Sequence, residues 1–541
     1  MNAPKARRWW ALGALTLAVL AVGLDATVLS VALPTLAADL HASTADLQWF
    51  VSAYTLVLAA AMLPGGLLGD RYGRKKVLLG ALALFGAGSL ACAYAPSAGA
   101  FIAARVLLGL GAAAIIPLAL SVLTVLFSDQ ERPRAVGVWA TANFLALPIG
   151  PILGGWLLTN YWWGWVFLMN LPVVLVGLLA VTVLLPESRS ATRTGLDPVG
   201  VLASSAGLAV LVYGVIEAGE HGWGDPVALV GMVAGALLLA AFVLWERRLG
   251  RRPAGQPLVD LGLFRSTSFT WGAILAAVGV FALFGVLFTA PQYFQAILGT
   301  DAMGSGLRLL PLIGGLAVGA GLADRVAARA GAKLTVAAGF VLLAAGLAVG
   351  ATTSLSSGTG FLSLWTPLVG LGMGFALATA SAAALGALSA ERAGVGSAVI
   401  QAVNKVGAPF AAAILGSVLN ATYQGRLDLA GVPAGVAGAV RDSVFAGVAA
   451  ARQLGSVALL HSVRAAFVDG MDVMLWVCAA IAVAGVVLAL VFLPGRTAAA
   501  TATKDEPAAM EDDVVIRAPL HPSRPLGALT PSEPGTRDGS R

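Results

Sequence analysis

About fourteen apolar runs, most of them roughly twenty residues long and separated by short polar turns, limit this chain more than any other feature of it. In helical form a run of that length crosses the ~30 Å hydrocarbon layer of a bilayer. The runs fall near 9–33, 47–68, 77–95, 100–125, 135–158, 165–185, 198–217, 226–245, 268–289, 304–323, 334–352, 361–385, 396–419 and 471–493. Only 11% of the residues are charged and the mean hydropathy is +0.88, where soluble domains carry about 25% charged residues. The fold class is therefore all-α polytopic membrane protein. Lys5, Arg7 and Arg8 before the first run resemble the start of a secretory leader, but the run is too long for one and more spans follow, so it is read as a retained first helix.

Charge placement orients the spans. Every Lys and Arg in the short connections falls before helix 1 or between helices 2–3, 4–5, 6–7, 8–9, 10–11 and 12–13, and the alternate short connections carry none. By the positive-inside rule these turns and both termini are expected in the cytoplasm. The exception is the stretch 420–470, an external loop holding Arg426, Arg441, Arg452 and Arg464, near the length at which the rule weakens and able to form short amphipathic helices. Cations spent in this way leave the net charge of +6 with no nucleic-acid meaning. Cys92 and Cys478 lie within apolar runs and read as small core residues, and none of the four histidines falls inside a predicted span, which argues against a haem or metal centre.

The turn between helices 2 and 3, Gly66 to Lys76, contains Asp70, Arg71, Gly73, Arg74, Lys75 and Lys76. Asp324-Arg325, followed by Arg329 and Lys333, is a degraded echo of it after a later helix. The two are too far apart for six helices alone, so the expected organisation is two six-helix bundles with two extra helices between them. The domains are residues 1–8, a cytoplasmic N-terminus; 9–185, the first bundle; 198–245, two inserted helices; 268–493, the second bundle with the loop 420–470; and 494–541, a disordered cytoplasmic tail poor in apolar residues.

Ionisable residues within spans carry the chemistry. A charge at the bilayer centre costs ~2.5–3.5 kcal/mol on insertion scales, so such residues usually face the bundle interior. Asp25 in helix 1 is placed about eight residues, roughly 12 Å, below the outer end near Leu33. There it either binds and releases a proton or stays wet near the surface. Arg105 in helix 4 lies at similar depth, where it either pairs with Asp25 or snorkels outward. Asn143, Asn170, Arg308, Gln401, Asn404 and Lys405 are the other polar positions expected to line a substrate cavity. Glu217, at the outer end of helix 7, reads as interfacial. Helix 5 carries Pro148, Gly150, Pro151, Gly154 and Gly155, which bend it and let a neighbouring backbone approach.

Several of these stretches resemble a known family. The 66–76 turn is similar to the signature loop of the major facilitator superfamily, and Gly150-Pro151-Ile152-Leu153-Gly154-Gly155 to the helix 5 motif of its antiporters. Leu24-Asp25-Ala26-Thr27 through Pro34, Leu47-Gln48-Trp49 through Tyr54, Arg105 with Gly109 and Gly111, and Trp165 through Pro172 resemble motifs of the fourteen-helix drug:proton antiporters. Leu108 stands where that family often has glutamine, and Asn404-Lys405 where an arginine-glutamine pair is common. The resemblance implies proton-coupled efflux of amphipathic organic molecules by alternating access. In that scheme Asp25 and Arg105 handle the proton, and Gly66, Asp70, Arg71, Gly73 and Arg74 with Asp324 and Arg325 form a cytoplasmic gate.

A dedicated exporter of one metabolite and a proton-linked importer of the same fold are the alternatives. No phosphate-binding loop and no nucleophile–base cluster appears, so neither direct ATP use nor a membrane enzyme is expected. The expected setting is the cytoplasmic membrane, as a monomer, with a small-molecule substrate, the lipid bilayer, no nucleic acid, no cofactor beyond the coupling proton, and no metal.

Overall fold

The computed structural model describes residues 5–127, 131–189, 197–252, 257–259, 261–388 and 390–494. The tail expected beyond 494 lies outside them. The first bundle is built from α1 (Lys5–Asp39), α2 (Thr44–Tyr72), α3 (Arg74–Ala93), α4 (Ala98–Leu126), α5 (Arg132–Asn160), α6 (Trp165–Leu168) and α7 (Asn170–Leu184). The inserted pair is α8 (Pro198–His221) and α9 (Pro226–Gly250). The remainder is α10 (Thr267–Gln292), continued by a π-turn at Tyr293–Ile297, then α11 (Ala302–Arg308), α12 (Leu310–Ala330), α13 (Ala332–Gly350), α14 (Thr359–Gly386), α15 (Ala390–Arg426), α16 (Ala434–Asp442), α17 (Val444–Gln453) and α18 (Val457–Phe492).

Thirteen helical segments among the described residues are long and apolar enough to cross a membrane. α5 is a further long helix, its 29 residues reaching about 44 Å. Prolines account for the interruptions. Pro172 and Pro311 lack the N–H that would continue the ladder, and the chain breaks at Met169 and Leu309 just ahead of them, so both prolines sit in a first turn where they are tolerated.

Two apolar cores form. One gathers side chains from α1 to α7 and takes Phe288 from the other half. The other gathers those from α10 to α18 and takes Val31 in return. α8 bridges the halves, burying Val212, Val215 and Ile216 against Ala45 and Leu56 of α2 and Ala413 of α15. Ser417 donates to the Val215 carbonyl at 2.8 Å and Asn420 to that of Gly219 at 3.2 Å. Asp197 caps α8 through the Gly200 N–H and accepts from Trp245 Nε1, each at 3.0 Å, which ties the start of α8 to the end of α9. Glu217 pairs with His221 one turn on, at 2.9 Å.

The stretch expected as a fifty-residue loop is shorter. α15 runs to Arg426, and α18 begins at Val457 rather than near 471, leaving 427–456 with the two short helices. His461, Arg464 and Asp469 depress the hydropathy of 457–470 and hid its helicity. Ser456 nevertheless caps it, accepting from Leu459 N–H at 3.2 Å, and Leu459, Val463, Ala466 and Phe467 supply a buried face. His461 consequently lies on a spanning helix after all.

Candidate functional site

Because α1 runs to Asp39, Asp25 lies about 21 Å from that end and about 30 Å from the other, deeper than the sequence placed it. Its carboxylate meets Arg105 of α4: Nη1 donates to Oδ2 at 2.6 Å, and both side chains are only 1% exposed. Arg105 Nε donates to the Phe50 carbonyl of α2 at 3.0 Å, and the guanidinium carbon stands 4.3 Å from the centre of the Tyr54 ring. The Tyr54 hydroxyl donates to the Val22 carbonyl at 3.2 Å, closing a ring of contacts around α1, α2 and α4. Asp25 Oδ1 is buried and accepts no hydrogen bond. The arrangement holds one carboxylate, one cation and one free carboxylate oxygen away from water, which suits a group that gains and loses a proton.

Asn170, expected from the sequence to line a substrate cavity, stands beside this cluster. It is 1% exposed, donates to Ser89 Oγ at 3.0 Å, and faces the Asp25 carboxylate. Ser89 in turn donates to the Phe167 carbonyl at 2.8 Å. The break at Met169 turns α7 so that its first residue points into the bundle.

The helix 5 glycines connect the pair to the other half. A Cβ at Gly150 would run into Thr27 Oγ1, and one at Gly154 would lie 2.5 Å from Val28 Cγ1, so α5 seats on α1 two and three residues past Asp25. Gly155 faces the opposite direction, and a Cβ there would lie 2.7 Å from the Ala302 carbonyl and from Met303 Cα. Gly306 of α11 packs on the Pro151 carbonyl in the same way. The Pro148 and Asn143 side chains lie outside the described residues. We expect Gly155→Ala to prise the two halves apart here, at about 1–3 kcal/mol for overpacking against backbone. Disulfide yield between cysteines placed at Thr159 and Met303, whose Oγ1 and N–H lie 3.3 Å apart, checks this and should drop several-fold.

The described contacts between halves gather at this end. Ser52 of α2 donates to the Pro409 carbonyl at 3.4 Å, Gln48 packs on Gly416, Thr44 donates to the Asp442 carbonyl at 2.8 Å, and Gln295 donates to the Val31 carbonyl at 3.2 Å. At the basic end the expected gate residues do not meet across the halves. Asp70 pairs with Arg74 in its own turn, Oδ1 to Nη2 at 2.8 Å, and Arg71 leans over Tyr72, 5.5 Å from its ring centre.

Arg74 N–H donates to the Ser188 carbonyl at 2.9 Å, and Lys75 Nζ to that of Thr182 at 2.7 Å, so the turn is anchored to the end of α7. Gly73, at φ +115°, makes the reversal, and a Cβ there would lie 2.6 Å from the Glu187 carboxylate. Gly66 packs on Pro117. Asp324 and Arg325 are exposed on α12, and among the described residues no ion pair joins them to the first turn.

Arg308 sits at the α11–α12 break, donating to the Gly304 carbonyl at 2.9 Å. Gln401 and Asn404 are half-buried on α15, and Asn404 Oδ1 is buried without a partner. The Lys405 side chain lies outside the described residues. Among the described residues no three His, Cys, Asp or Glu side chains come together as a metal site would require.

A family model described as Major Facilitator Superfamily matches residues 15–412. The tetracenomycin C resistance and export protein of Streptomyces glaucescens is 34% identical over 501 residues, covering 90% of this chain and 92% of its own. The multidrug efflux pump LfrA of Mycolicibacterium smegmatis is 33% identical over 481 residues, covering 86% and 92%. Among solved structures, a bacterial homologue of the human lysosomal transporter Spinster, inward-facing and unoccupied, superposes with a TM-score of 0.65 at 16% identity, over 91% of this chain and 98% of that one. A D-xylose–proton symporter superposes with a TM-score of 0.58 at 15% identity, over 90% and 98%.

Proposed function

This chain belongs to the Major Facilitator Superfamily, a multi-pass membrane transporter and not an enzyme, and on that footing we propose that it expels drugs or similar amphipathic molecules from the cell in exchange for protons. The observation that carries the coupling is the buried Asp25–Arg105 pair at 2.6 Å, with one carboxylate oxygen left free. A proton arriving at that oxygen cancels the attraction to Arg105, which keeps the Phe50 carbonyl and the Tyr54 ring. The carboxyl can then move with α1. Thr27 and Val28 press on Gly150 and Gly154, and Gly155 on the same helix presses on α11, so a shift of α1 reaches the contact between the halves.

In this scheme the basic end faces the cytoplasm, both termini lie there, and the membrane is the cytoplasmic one. The inter-half contacts of Ser52, Thr44 and Gln295 then belong to the outer side, and their separation is part of the turn outward. When the molecule turns outward, the 66–76 turn and the Asp324–Arg325 turn close the inner side. Gln401, Asn404, Lys405 and Arg308 are the polar residues we assign to the substrate path.

Relatives named for one antibiotic and for many drugs support narrow and broad specificity alike. The test is accumulation of a panel of fluorescent dyes and antibiotics in cells expressing the protein. Export predicts lower accumulation that rises when a protonophore collapses the gradient. Accumulation that increases with energisation would instead favour an importer.

A further inference from the structure

We propose that Tyr54 is a positioning residue for proton uptake, its ring face holding Arg105 during the part of the cycle in which Asp25 is neutral. The inference rests on the proton-coupled reading above and adds a role to a residue that reading does not require. Tyr54 is fully buried, its ring centre stands 4.3 Å from the Arg105 guanidinium, and its hydroxyl is pinned to the Val22 carbonyl, one turn before Asp25. An aromatic face is the negative part of the ring's quadrupole, and its attraction for a cation strengthens where water is excluded.

The ring then weighs differently in the two protonation states of Asp25. While Asp25 is ionised, Arg105 and Asp25 are together neutral, and the ring face sees a cation balanced by an anion. Once Asp25 is protonated, Arg105 is a buried cation with no anion beside it, and among the described residues the Phe50 carbonyl, this ring and the neutral carboxyl are what replace water. The ring contributes more in the second state, so it eases proton uptake, and it does so without touching the proton. The groups facing the pair from neighbouring helices are Tyr54 of α2, the Cys92 thiol of α3 and the Asn170 amide of α7. Among the described residues no second acid or base stands there to take over the role.

The experiment is an infrared difference titration of the purified full-length protein in lipid nanodiscs, following the carboxylic C=O band that Asp25→Asn removes. Tyr54→Phe keeps the ring and should titrate close to wild type. Tyr54→Leu removes the ring, and the band should titrate at a pH lower by about half to one unit, a three- to tenfold loss of proton affinity. Phenylalanines of increasing fluorination at position 54 keep the shape while draining the ring face, and should give a graded shift in the same direction. They decide the matter if the leucine variant fails to fold. A flat fluorine series, or a leucine variant that titrates like wild type, would overturn the role of Tyr54 and leave the proton reading intact. A wild-type protein with no Asp25-dependent band would remove both.

Discussion

Cells expressing the Asp25→Asn variant are expected to be as drug-sensitive as cells without the protein, while the variant still reaches the membrane and still exchanges substrate down its gradient. Asparagine keeps the size of the side chain and can still accept from Arg105, but it cannot ionise. The substitution therefore resembles the proton-loaded state, which a working cycle must visit in any case. The fold has to tolerate it, because Arg105 retains the Phe50 carbonyl and the Tyr54 ring when the carboxylate charge is gone. Only the release of the proton is lost. Without release the carrier can equilibrate drug between the two sides but cannot drive it uphill. The resistance panel and an energy-independent counterflow assay on the same variant separate these outcomes. Retained resistance would mean that the buried acid is structural.

The second large effect concerns stability. Arg105→Leu is expected to cost about 3–5 kcal/mol at high pH, since it strands a carboxylate in a site 1% exposed. A lone buried carboxylate escapes its desolvation by taking a proton. The deficit should therefore shrink as the pH falls, because the group left behind is neutral there, and grow as the pH rises. The double variant Asp25→Asn/Arg105→Leu has no charge left to strand, so it should regain most of the lost stability at every pH without regaining transport. Thermal melts in detergent across a pH series read this directly. Equal instability of the single and double variants would show that Arg105 is held for its packing against Tyr54 and Phe50 alone.

How much of this was visible beforehand follows from which forces leave a local trace. Bilayer thickness and the cost of a bare charge in lipid both write themselves into hydropathy, so the spans, the two-bundle architecture and the singular status of Asp25 and Arg105 could be read residue by residue. Their contact could not, because depth along a helix says nothing of which face is turned inward. Tyr54 gave no signal, since a tyrosine in an apolar helix looks like any core aromatic. Gln48, Ser52 and Thr55, spaced four and three residues apart, did mark a polar stripe on α2, and the first two meet α15. Tyr54 lies off that stripe, toward α1 and Arg105.

The proximity of Asn170 to Asp25 was hidden for a related reason: the turn ahead of Pro172 sets its direction, and that is a tertiary outcome. The start of α18 escaped because averaging over a window lets His461, Arg464 and Asp469 outweigh a buried face. The meeting of Gly155 with Ala302 and Met303 joins residues far apart in the chain, and nothing near either one announces the other.

Proton movement in a purified system is the most direct check on whether Asp25 exchanges protons for drug. Proteoliposomes enclosing a pH dye, energised by substrate added on one side, should show protons crossing opposite to the drug in wild type and no such movement with Asp25→Asn. Protons that travel with the drug, or an unchanged counterflow of protons in the variant, would contradict it.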